Sequence, residues 1–147
     1  MSDQGRQLTE EDARGSLENH ILVKTKEARQ KYGESIGTDE VLAMLSDAEV
    51  VRYKTRLVFD SDALNKGEFA FAQAIGAHPS EGFILHVHPA LEKSPEDLPL
   101  AIAYHMVVIN YGDIAGSNEA ELFGANLLGL EVDTYYDRLC AIADRLS

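Results

Sequence analysis

SPEDLPLAIAYHMVVINYG, residues 94–112, is the stretch that decides how the rest of the chain must fold. Ser94 suits a helix N-cap, Pro95 its first turn, and Glu96 and Asp97 the positive end of its dipole. From Leu98 to Ile109 the run is almost wholly apolar, with Tyr104 and His105 in its middle and Gly112 to end it. A helix that is apolar on every side has to be enclosed on every side. The run is shorter than the roughly 20 residues needed to span a bilayer, so it predicts a central helix inside a globular domain.

Upstream, the period changes from helical to alternating. In EVVRYKTRLVFD, residues 49–60, Val51, Tyr53, Thr55, Leu57 and Phe59 alternate with Arg52, Lys54, Arg56 and Val58, the pattern of a half-buried strand with one wet, basic face. A basic stripe of this kind protects an exposed sheet surface, or it docks an acidic partner or ligand. DSDALNKG, residues 60–67, reads as a turn, and its spacing does not fit a calcium loop. EFAFAQAI, residues 68–75, alternates again, although its alanines also suit a helix. GFILHVHP, residues 82–89, sets Phe83, Leu85 and Val87 opposite Ile84, His86 and His88. Three strands joined by short links predict a small antiparallel meander packed on helices, an α+β fold.

Those helices flank the sheet in sequence. Residues 1–8 read as a disordered lead-in. Thr9 caps a long helix to about Tyr32 with a narrow stripe of Ala13, Leu17, Ile21 and Ala28, and Thr38 opens a second, short helix carrying Val41, Leu42 and Leu45. After the central helix come Asn118 to about Leu128, capped by Ser117, and Asp133 to Leu146, whose Tyr135, Leu139, Ile142 and Leu146 share one face. No repeat or linker divides residues 9–147, so they are expected to form a single domain.

The 147 residues carry a formal net charge of −12 and are 45% hydrophobic. Such a balance disfavours binding to nucleic acid or to anionic membrane surfaces. The start of the chain has no apolar segment of the signal-peptide kind, which makes a cytoplasmic location the expectation. A single cysteine, Cys140, excludes an intrachain disulfide, and its helical apolar setting predicts a buried small hydrophobe.

Chemistry centres on the histidines. His86 and His88 are two apart on a strand and so point to the same side. His105 lies on the very next helix and offers a third ligand, so that His86, His88 and His105 form a candidate site for a divalent transition metal such as zinc. His78 and Glu68 are weaker candidates, and His20 is expected on the surface. The competing reading makes His105 a core histidine bonded to a carbonyl or to Tyr104. No nucleophile elbow, phosphate-binding loop or dinucleotide fingerprint is present.

The order of elements resembles that of the small zincin-like metallopeptidases, in which a sheet precedes a helix bearing H-E-x-x-H. The central helix offers His105-Met106-Val107-Val108-Ile109, and the next helix offers the segment from Glu119-Ala120-Glu121 through Phe123 to Leu127-Leu128. The resemblance covers roughly the last third of the chain. Met106 stands where the family has its general-base glutamate and Ile109 where it has its second histidine ligand. The resemblance therefore implies a scaffold without the family's water-activating site.

The sequence as a whole points to a non-enzymatic module that binds another protein or associates with itself as a homodimer. The abundance of apolar helix faces in its C-terminal third supports that reading. The alternative is a metal-binding protein or metal-dependent hydrolase using His86, His88 and His105.

Overall fold

A computed structural model describes residues 10–146, with side chains from residue 13 onward. The expected lead-in over residues 1–8 lies outside the described residues. The elements run α1 (Glu10–Tyr32), α2 (Thr38–Met44), β1 (Thr55–Phe59), β2 (Ala70–Ala74), β3 (Phe83–Val87), α3 (Leu98–Tyr111), α4 (Ser117–Leu128) and α5 (Val132–Arg145). The chain is thus α+β. EFAFAQAI supplies a strand, as its alternation predicted.

α3 is enclosed as the sequence requires: 11 of its 14 residues, from Leu98 to Asn110, are buried. It begins later than Ser94, however. The Ser94 hydroxyl donates to Asp97 Oδ2 at 3.0 Å, and the Leu98 N–H donates to the Ser94 carbonyl at 2.9 Å, so residues 94–97 form a turn with Asp97 as the N-cap. Gly112, at φ +58°, ends the helix in the left-handed region that glycine tolerates best.

The sheet corrects the expected meander. Its strand order is β1-β3-β2, with β1 parallel and β2 antiparallel to β3. β3 takes the middle because it can be buried: Leu85 and Val87 are fully enclosed. The other two strands are suited to edges, since Arg56 of β1 and Phe71 and Gln73 of β2 are exposed. β1 is also shorter than the alternation suggested. The Asn110 side chain of α3 accepts from the Arg52 N–H at 2.8 Å and donates to the Val50 carbonyl at 2.8 Å. Backbone groups satisfied by a side chain in this way do not need a ladder partner.

The last three helices are locked by one side chain. Tyr135 of α5 is fully buried and its hydroxyl donates to the Leu100 carbonyl of α3 at 2.7 Å. On the way its ring passes directly over Gly124 of α4, where a Cβ would overlap it. Helix propensity alone favours alanine over glycine by about 1 kcal/mol. Here the overlap outweighs it, and Gly124→Ala is expected to destabilise by about 1 to 3 kcal/mol. Urea denaturation followed by circular dichroism checks the sign.

The end of α1 is tied to the turn after α2. The Tyr32 hydroxyl donates to Asp47 Oδ2 at 2.6 Å, and Lys31 Nζ lies 2.8 Å from the same oxygen. The hydrogen bonds from Lys31 and then Tyr32 hold the Asp47 carboxyl at about 2, below its ordinary 3.8. A depressed carboxyl contributes stability that is complete above its unfolded pKa and is lost as pH falls toward its folded one. The wild-type protein is therefore expected to lose more stability than Asp47→Asn as pH drops from 4 to 2, read from parallel urea titrations.

Candidate functional site

The pleat of β3 distributes its histidines. Leu85 and Val87 face the core through which α3 runs, so His86 is carried on the opposite face, beside Val58 and Phe71 in register. There its ring stacks with Phe71 at 6.4 Å, and its Nε2 lies 2.8 Å from Gln73 Oε1. Its Nδ1 is buried without a hydrogen-bond partner among the described residues.

His88 lies beyond the end of β3. Its Nδ1 accepts from the Ala90 N–H at 3.1 Å and caps a short 3₁₀ turn over Pro89–Leu91. His105 is in the core, its Nδ1 donating to the Ala101 carbonyl one turn earlier at 2.9 Å and its ring edge-on to Phe69 at 5.7 Å. Burial pushes the His105 pKa below its ordinary value, against the pull of the Ala101 carbonyl and the Glu68 charge. The ring is thus a neutral core histidine bonded to a carbonyl.

The candidate triad His86, His88 and His105 is therefore dispersed: one ring lies on the outer sheet face, one in a turn and one in the core. Among the described residues no group of three or more His, Cys, Asp or Glu side chains is placed to hold a metal ion. The alternation in residues 82–89 already put Leu85 and Val87 on the better core face, and that is the signal that separates His86 from a helix packed on the core.

Two other places gather functional side chains. The first is a groove of about 700 Å³ along β1 and the segment before it, lined by Arg52, Lys54 and Arg56 with Tyr53, Phe83 and Ile75 and with one carboxylate, Glu81, which accepts from the His78 N–H at 3.2 Å. Arg52 lies over the Tyr53 ring at 5.6 Å, and its guanidinium reaches the Asn110 carbonyl at 3.4 Å. No salt bridge among the described residues involves Arg52, Lys54 or Arg56, as is also true of Lys26, Lys66, Lys93 and Arg138, but only the first three are gathered in one groove. The stripe was legible as alternation; the groove was not, because Leu45, Ile75, Glu81 and Phe83 reach it from outside residues 49–60.

The second is a cleft of about 310 Å³ between the entry to β2 and helices α3, α4 and α5, lined by residues that include Glu68, His105, Glu121 and Cys140. Cys140 is half-buried at this cleft, more open than its apolar helical setting predicted. Burial raises the Glu121 carboxyl above its ordinary range. Of the lining, only Glu68 and His105 were candidate ligands by sequence; Cys140 and Glu121 were named there for other reasons, and nothing local joined them to the first two, since that wall comes from α4 and α5, far along the chain.

The helices that carry the zincin-like segments, α3 and α4, pack against each other, with Met106, Ile109, Phe123 and Leu127 buried. Glu119, fully buried, is held by Arg14 at 2.7 Å and by the Gly116 N–H at 2.7 Å, so it caps α4 and anchors α1.

The dispersal of the histidines has a direct consequence. When each protein is dialysed against zinc and then against buffer, wild type and His86→Ala/His88→Ala are expected to retain the same metal per chain by elemental analysis. A full equivalent lost only in the variant would reinstate the site. No described helix is long and apolar enough to cross a membrane. The chain matches no family model, no curated protein and no solved structure.

Proposed function

We propose that this protein is a non-catalytic binding module whose docking surface is the basic groove along β1, and that its partner is an extended, acidic segment of another protein. The observation that carries this reading is the set of Arg52, Lys54 and Arg56, three cations gathered in one groove without a carboxylate partner among the described residues, in a chain of net charge −12. Twenty-five acidic residues were available to neutralise them. Leaving them open favours an incoming anion.

β1 is an edge strand, paired only with β3, so its other edge is free to receive a strand. Apolar side chains line the same groove, Tyr53 and Phe83 lying 6.1 Å apart, so a partner that alternates acidic and apolar residues matches it in both respects. The remaining negative charge of the chain acts at longer range and is screened beyond about 8 Å at physiological salt, while the three cations act at contact. Two copies meeting groove to groove would set like charges together, which makes a second copy a poorer occupant than an acidic partner.

Fluorescence anisotropy with a labelled peptide of alternating glutamate and valine tests this. Binding is expected to weaken at least about tenfold in Lys54→Glu/Arg56→Glu, and a lysine–valine peptide of equal length is expected not to bind. Both substituted side chains are exposed, so the fold should tolerate the change. Equal binding of the two peptides, or an unchanged affinity in the variant, would overturn the reading. A concentration-dependent dimer abolished by the same variant would transfer the groove to self-association.

A further inference from the structure

We infer that the cleft between β2 and the C-terminal helices is a binding site for a small organic cation, an alkylammonium whose charge meets Glu68 and Glu121 and whose carbon body lies against Phe69, Tyr104 and Tyr136. The volume of about 310 Å³ is at the lower end of small-molecule pockets. The three aromatic rings reach it from three elements. Phe69 precedes β2 and meets Tyr104 of α3 edge-on at 6.2 Å, and Tyr136 comes from α5.

The charges of the lining select the ligand. Glu68 approaches from the β2 side and Glu121 from α4, and no lysine or arginine lines the cleft. No salt bridge among the described residues reaches either carboxylate. Glu68 is fixed by the Asn65 N–H at 2.7 Å, which uses one of its oxygens and leaves its charge uncompensated. Glu121 is half-buried, and burial alone accounts for its raised pKa. A carboxylate partly stripped of water and left without a counter-charge is stabilised by an incoming cation.

The other titratable groups at the cleft do not oppose this. His105 is driven toward its neutral form by burial, so it does not repel a cation. Tyr104 is raised by burial and then by the Glu121 charge, and Tyr136 by its hydrogen bond with Cys140, so both phenols stay neutral at pH 7. Neutral aromatic faces attract an ammonium through their quadrupoles, an effect that grows as the cation is desolvated. An anion meets two carboxylates and no donor of positive charge. A neutral apolar ligand leaves both carboxylates unpaired. The organic cation is the one class that answers the rings and the charges together.

The probe is 2-phenylethylammonium, titrated into the full chain by calorimetry and by ¹H–¹⁵N NMR, with 2-phenylethanol as its neutral isostere. Shifts are expected at residues 67–70, 104–105, 121 and 136–143, with the alcohol binding at least about tenfold more weakly. Glu121→Gln should weaken the amine about tenfold and leave the alcohol unchanged. Tyr136→Leu, at an exposed position, should weaken the amine severalfold without unfolding the chain. Equal affinity for amine and alcohol, shifts elsewhere, or an amine affinity indifferent to Glu121→Gln would overturn the assignment.

Discussion

Everything in this fold answers to the need to enclose α3 on all sides. Eleven of its 14 residues are buried, and no single neighbour can cover a cylinder. α4 covers one flank, α2 and α5 reach others, and β2 and β3 lie against the rest. Deleting any one cover would expose Leu, Ile or Val side chains whose burial contributes about 1.5 to 3 kcal/mol each. The helix that looked like the organising element in sequence is so because it makes no demand that one partner can satisfy.

Enclosure creates a second problem, which polar side chains solve. A helix sealed in the core still has terminal backbone groups that need partners. The Leu98 N–H at the start of α3 donates to the Ser94 carbonyl, and the Leu100 carbonyl in the first turn takes a bond from the Tyr135 hydroxyl besides its place in the helix. At the other end Asn110 turns outward to pair with Val50 and Arg52. These bonds also fix orientation. Tyr135 reaches Leu100 only because Gly124 has no side chain in its path, and so α3, α4 and α5 are set in one mutual arrangement. Asn110 likewise draws the segment before β1 onto α3 and shortens the strand. Buried hydrogen bonds of this kind contribute modestly when made and cost more when left unmade, which is why they specify geometry more than they add stability.

The helices and the three strands were legible because each rests on a local period. The helix apolar all round, the face of Tyr135, Leu139 and Ile142, and the alternation of Leu85 and Val87 with His86 all survive in the structure. Strand order was not legible. Short links between alternating segments suggest neighbours in space, yet β3 lies between its predecessors because it alone buries both Leu85 and Val87 completely. The histidines are dispersed for a related reason. Two positions apart places His86 and His88 on one side only while the strand continues, and His88 has already left it for a turn. His105, meanwhile, found its partner on its own helix. The carbonyl of Ala101 was four residues away and needed no second element, so the core-histidine reading needed less of the fold than the metal site did.

The strand order that the sequence did not disclose is also what creates the two concave sites. In a meander β2 would be central, with both edges paired and its entry covered by strands on either side. With β3 in the centre, β1 and β2 become the two edges, separated by two strand spacings of about 4.8 Å each. The groove of Arg52, Lys54 and Arg56 starts at β1 and reaches Phe83 of β3 and Ile75 after β2, while the cleft of Glu68 and Glu121 opens beside the entry to β2. Glu68 and Glu121 are thereby set apart from the basic stripe by a central strand whose inward face is apolar. Neither set lies against the other across the sheet, and this separation is what the two proposed sites rest on.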